Sequence, residues 1–162
     1  MIFVIKEAER SIGYNIAIDS STGQAYKLLE GQPVMFTADG KLKPYDGTPG
    51  ALPMGLAAES NVMYPIQGDP FTVGVGYDYN RFNRGGLVSF FFNGGMFELT
   101  SDPRGTVFVD TDTYVINKPV YVNSNGKITS DSNNGNNPMI GVVVNYVTQS
   151  GKVVSLTIKL TI

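Results

Sequence analysis

Apolar and polar residues alternate without a fault at the end of this chain. Val154, Leu156, Ile158, Leu160 and Ile162 fall on one side, and Ser155, Thr157, Lys159 and Thr161 on the other. A period of two predicts a β-strand with one buried face and one wet face. Leu87-Val88-Ser89-Phe90-Phe91-Phe92 is the most apolar run, and Asn93-Gly94-Gly95 then predicts a hairpin back through Met96-Phe97-Glu98-Leu99. Three consecutive phenylalanines cannot share one face of a strand. Either both faces of that strand are buried, or one ring is left for a partner. Ile2 to Ile5 predicts an edge strand or an arm docked on a partner, and Thr106 to Val109 a further strand. No segment carries a helical period.

One pattern occurs twice. Gln32-Pro33-Val34-Met35-Phe36-Thr37-Ala38-Asp39-Gly40-Lys41-Leu42 returns 86 residues later as Lys118-Pro119-Val120-Tyr121-Val122-Asn123-Ser124-Asn125-Gly126-Lys127-Ile128. Met54-Gly55-Leu56 then meets Ile140-Gly141-Val142, and Phe71 to Val75 meets Leu156 to Leu160 after the loss of one residue. A repeat of this length points to internal duplication. Proline suits the first residue of a strand, where a missing N–H costs little. Asp39-Gly40 and Asn125-Gly126 predict two-residue type I′ turns, in which both central residues have φ > 0. Each copy reads as a hairpin plus two strands. The expected organisation is an arm and leading strands over 1–31, a first β unit over 32–76, an aromatic-rich hairpin region over 77–117 and a second β unit over 118–162. The expected fold is an all-β barrel or sandwich in one compact domain, with little or no helix.

Composition narrows the function. Of 162 residues only 16 % are charged, below the quarter or so typical of soluble domains. A surface poor in charge suits a protein covered by partners. The net charge is −2 and no basic run occurs, which argues against a nucleic-acid surface. No run reaches the length of a membrane span, and the apolar start is too short for a signal-peptide core. There is no cysteine and no histidine. Disulfides, thiolate nucleophiles, the usual general base and the commonest metal ligand are therefore absent. No cofactor is expected.

The remaining candidates for chemistry are weak. Asp110 and Asp112 alone are too few oxygens for a cation site, and read as a strand-flanking turn. Asp19 to Gly23 also reads as a turn. Glu7, Glu9, Glu30, Glu59 and Glu98 are candidate members of a catalytic carboxylate pair, with nothing to pair them. Gly74-Val75-Gly76 lacks the third glycine and the helix of a nucleotide loop.

The repeated phrase, Gly31 to Leu42 with Pro53 to Ala57, and Lys118 to Ile128 with Ile140 to Val143, resembles small structural proteins of tailed bacteriophages, above all capsid decoration or cement proteins. The resemblance implies a β-rich module whose strand after the loop starts at Gly55 or Gly141. It implies a place on the outside of the virion head, the major capsid protein as partner, and self-association as a homo-oligomer, trimers being frequent in the family. It covers less than half the chain and carries no catalytic signature. The expected interface is Ile2, Phe3 and Ile5 of the arm with whichever of Phe90, Phe91 and Phe92 faces outward. The other expectations are a β-module of a phage tail, baseplate or fibre with possible glycan binding, and an enzyme built on a carboxylate pair.

Overall fold

The computed structural model describes residues 1–6, 8–61, 87–102 and 104–162. Its architecture is all-β, with one 3₁₀ turn at Asn133–Gly135 among the described residues. A six-stranded sheet contains β1 (Ile2–Lys6), β11 (Met96–Thr100), β15 (Lys152–Leu160), β14 (Met139–Gln149), β12 (Pro119–Val122) and β13 (Ile128–Thr129), in that order. A five-stranded sheet contains β2 (Glu9–Arg10), β10 (Phe90–Phe92), β8 (Gly55–Ala57), β6 (Pro33–Phe36) and β7 (Leu42–Pro44). Two small pairs, β3 (Tyr14–Asn15) with β9 (Leu87–Val88) and β4 (Ile18–Asp19) with β5 (Gln24–Ala25), complete it. Neither large sheet closes into a barrel.

The duplication is present in the register of the strands. Met35 pairs with Lys43 and Phe36 with Leu42; 86 residues on, Tyr121 pairs with Thr129 and Val122 with Ile128. Pro33 pairs with Leu56 and Val34 with Gly55; Pro119 pairs with Val142 and Val120 with Gly141. The repeated glycines have one cause. A Cβ on Gly55 would stand 2.1 Å from the Phe91 carbonyl oxygen, and one on Gly141 2.4 Å from that of Lys159. The neighbouring backbone leaves no room for a side chain.

That neighbour identifies the fourth strand of each copy. Leu56 pairs with Phe91 and Ala57 with Phe90, while Val142 pairs with Lys159 and Val143 with Ile158. β10 thus holds in the first sheet the place that β15 holds in the second. The stretch aligned with β15 by sequence, 71–75, lies outside the described residues, as do Gly74-Val75-Gly76 and 78–86. The repeat also extends upstream. Arg10 of β2 pairs with Phe91, and Met96 of β11 with Lys159. Ile16 bridges Leu42 in parallel, and Phe108 bridges Ile128 in the same way.

Several local expectations are corrected. β14 starts at Met139, two residues before Gly141, and Thr106 to Val109 forms only a single bridge at Phe108. The turns are not of type I′. Gly40 N–H donates to the Thr37 carbonyl at 3.0 Å, and Gly126 N–H to that of Asn123 at 3.0 Å. Gly40 and Gly126 are left-handed, at φ 75° and 69°, whereas Asp39 and Asn125 are not. Each turn is a three-residue loop closed by a left-handed glycine. Thr37 Oγ1 and Asn123 Oδ1 each accept the N–H of the lysine four residues on at 3.0 Å, which favours the longer loop. Nor do β10 and β11 form a hairpin, because each pairs within its own sheet. Asn93, Gly94 and Gly95, all at positive φ, carry the chain across, and a Cβ on Gly95 would strike Ala8 at 2.5 Å.

The core has two parts. Val34, Leu42, Ala57 and Phe90 of the five-stranded sheet pack with Ile16, Ala25 and Leu28 from the leading strands. The opposite face of that sheet, through Met35, Tyr45 and Leu56, joins Phe97, Val120, Ile140, Leu156 and Ile158 of the six-stranded sheet. The molecule is therefore a sandwich in which the five-stranded sheet is covered on both sides. Leu156, Ile158 and Leu160 are buried as the alternation requires, but Ser155 and Thr157 are only 8 % exposed. They lie mid-sheet, and the Ser155 hydroxyl donates to Glu98 Oε1 at 2.7 Å.

Candidate interaction surfaces

The structure disperses the expected interface residues. Phe90 is buried in the first core and is not available to a partner; its ring lies 5.8 Å from that of Phe36, edge-on. Phe91 points the other way and packs on Phe97 at 5.1 Å, closing the join between the sheets. Phe92 is half-buried beside Phe90, at 5.8 Å. Both faces of this strand are therefore occupied. Ile2 is half-buried against the second core, whereas Phe3 and Ile5 are exposed at 46 % and 53 % on the edge strand β1. Val4, between them on the strand, is also exposed, at 49 %.

The outer rim of Phe92 lines an apolar groove of about 530 Å³ with Leu52, Met54, Pro138, Met139 and Ile162. It forms where the loops preceding β8 and β14 meet. A second, more polar hollow of about 290 Å³ lies beside β12, between Thr113, Val115, Lys118, Pro119, Tyr121 and Ser130.

The carboxylates serve as fasteners. Glu9 accepts from Asn93 Nδ2 at 2.9 Å, Glu59 pairs with Arg10, and Glu30 meets Arg104 at 3.1 Å. Arg104 also meets Asp102 at 2.6 Å, both side chains almost fully buried. Glu7 lies outside the described residues. Asp112 accepts from the Thr129 hydroxyl and from Ser130 N–H at 2.9 Å, and Asp110 pairs with Lys152 at 3.1 Å. The two aspartates thus hold separate loops. Among the described residues no group of three potential ligands stands close enough to hold a metal ion, and no helix is long and apolar enough to cross a membrane.

Asp46 and Tyr114 are among the groups that titrate away from their ordinary values. Partial burial would raise Asp46, but the Lys43 ammonium, the Thr48 hydroxyl and Thr48 N–H outweigh it and bring the carboxyl down to about 2. Asp46 thereby holds the loop of Tyr45 and Gly47, where a Cβ on Gly47 would meet Ser124 of the second turn at 2.8 Å. Burial pushes the Tyr114 hydroxyl well above its usual value, helped by Asp112. That hydroxyl is placed at 3.0 Å from both the Val109 and the Ile128 carbonyl oxygens.

No protein-family model matches the chain. No curated protein matches it either.

Proposed function

We propose that this chain is a structural virion protein, a capsid decoration or cement protein of a tailed bacteriophage. In this reading it binds the outside of an assembled head and bridges subunits of the major capsid protein. It self-associates and binds without turning over a substrate. The observation that supports this most is the repeat itself: the phrase that resembles decoration proteins folds twice in one register, strand for strand. A duplicated binding module suits a lattice, because two modest contacts on one chain gain avidity from each other. The exposed apolar residues Phe3, Val4 and Ile5 on β1 supply contact area at the sheet edge. A contact of ordinary size buries roughly 1,600 Å² in all, and area alone does not set affinity.

The test is to assemble heads lacking this protein, add it back, and measure binding and the temperature of rupture. Saturable binding to the head exterior with a raised rupture temperature is expected. No binding to any particle would remove this reading and promote the tail-module alternative.

A further inference from the structure

We propose that the outer edge of β1 is a strand-addition site, and that its occupant is β1 of a second copy, paired antiparallel about a two-fold axis. This deepens the self-association in the decoration reading and rests on that reading for its place on a head. The first observation is a comparison of the four sheet ends. β7 is covered on its outer side, where Ile16 bridges Leu42 and Ala17 N–H donates to the Leu42 carbonyl at 2.8 Å. β13 is covered in the same way: Ile128 N–H donates to the Val107 carbonyl at 2.9 Å, and Val109 N–H to that of Ile128 at 2.8 Å. β2 is two residues long, and both are charged and engaged, Glu9 with Asn93 and Arg10 with Glu59. β1 is five residues long and apolar up to Lys6, and among the described residues its one strand partner is β11. Sheets are kept from adding strands by covering, shortness and charge. Three ends have such protection and β1 has none.

The second observation is the ladder. Thr100 N–H donates to the Met1 carbonyl at 2.9 Å, and the Met1 ammonium to that of Thr100 at 3.2 Å. The register is regular from Ile2 to Val4. Antiparallel pairing alternates, so Met1 and Phe3 address β11 while the N–H and C=O of Ile2 and Val4 point outward. Among the described residues no backbone group meets them there. Another strand presents donors and acceptors at the matching spacing.

The side chains select which strand. With Phe3 on the axis, Ile2 of each copy opposes Val4 of the other, and four backbone hydrogen bonds form. The inner row then reads Leu99, Ile2, and Val4 and Phe97 of the second copy, apolar throughout. It joins two cores: Leu99 and Phe97 are fully buried, whereas Val4 beside Phe97 is half-exposed for want of a flanking strand. On the outer face Phe3 meets Phe3, an aromatic cross-strand pair. Glu98 of the two copies then stand three strand spacings apart, about 14 Å and beyond the Debye length at physiological salt. Lys6 falls beside Met1 of the other copy, whose ammonium is already paired with Asp102 at 3.4 Å. Two-fold pairing uses the edge in both copies, and the covered β13 stops further addition, so the product is a closed dimer.

The experiment has two arms. In the first, the intact chain is sedimented over a range of concentrations, and dimers that grow with concentration are expected. Val4→Pro removes an outward N–H and leaves the β11 ladder intact. It is expected to weaken dimerisation at least about tenfold, since each copy loses a hydrogen bond, with the melting temperature of the dilute chain unchanged. The chain has no cysteine, so Phe3→Cys places a single thiol on the axis, within reach of its own copy. Mild oxidation is expected to link Phe3→Cys into dimers and to leave Ile12→Cys, exposed at 76 %, unlinked. If Val4→Pro misfolds, the two cysteine variants decide. A chain monomeric at every concentration, a trimer, a dimer indifferent to Val4→Pro, or equal linkage of the two cysteine variants overturns the proposal. In the second arm both chains are added to heads assembled without this protein. Cooperative binding by the unmodified chain, lost in Val4→Pro, is expected. Binding by a chain that stays monomeric, abolished by Val4→Pro, gives the edge to a capsid strand and overturns the choice of occupant. If the unmodified chain dimerises through β1 and binds no head, the decoration reading falls and the dimer stands.

Discussion

Five strands of the six-stranded sheet repeat the order and register of the five-stranded sheet, yet equivalent positions on the two meet different surroundings. Leu56 is fully buried and its counterpart Val142 is half-exposed; Phe91 packs on Phe97 and its counterpart Lys159 is in water. Tyr45, 4 % exposed, is matched by exposed Asp131. The positions facing each unit's own core do not diverge in this way. Val34 and Val120, Leu42 and Ile128, and Phe90 and Ile158 are apolar and buried in both. The inward face is what makes the unit fold. The outward face records what each unit was placed against.

The largest effect should come from the feature the units share. Gly55→Ala and Gly141→Ala each drive a methyl into a backbone carbonyl that cannot move aside. Each should lose about 4 kcal/mol or more by urea denaturation, the range of exceptional single substitutions. Tolerance of one and not the other would break the equivalence of the two crossings.

The next pair separates the outward faces. Leu56→Ala should cost about 2–4 kcal/mol, because it opens a cavity at the join between sheets. Lys159→Ala should stay within about 0.5 kcal/mol, as exposed substitutions do. Equal costs for the two would mean that the second face is covered in the isolated chain.

Tyr114→Phe probes a device that serves only the second unit. It should cost about 1–2 kcal/mol at neutral pH by removing the hydrogen bond to buried carbonyls. Because the folded value of Tyr114 is raised, its contribution is complete below its ordinary value of 10.0 and is lost as pH rises further. The wild type should therefore lose melting temperature at alkaline pH more steeply than the variant.

The smallest effect belongs to Asp46, in the loop pinned to the second turn. Its folded value is lowered, so its contribution is present above the ordinary 3.8 and is lost as pH falls toward about 2. Asp46→Asn should flatten the acid limb of a melting-temperature profile across that window. An unchanged acid limb would show that the loop is held by packing alone.

Much of the fold is legible in the chain itself. The duplication, the closing strand through Leu160 and the strand start at Gly55 follow from local signals: a period of two, proline at a strand start, and glycine at a fixed offset. The turn type was less legible. Asp39-Gly40 and Asn125-Gly126 suit two geometries, and a single side-chain acceptor at Thr37 or Asn123 chooses between them. The surroundings of the three phenylalanines were legible only in part. Phe90, Phe91 and Phe92 were correctly divided between two faces, but no sequence signal tells a buried outward face from an open one.

The sequence by itself therefore determined the all-β class, the repeated unit and the inward Leu156, Ile158 and Leu160 of the closing strand, because alternation and turn chemistry act between residues close in the chain. Tertiary structure alone decided that β10 closes the first sheet, that Asn93 to Gly95 crosses between sheets, and that one outward face is covered while the other is open. Those outcomes depend on contacts between strands far apart in the chain, such as β8 with β10 and Phe91 with Phe97. Each local pattern is equally satisfied by more than one such partner, and packing of the whole chain selects among them.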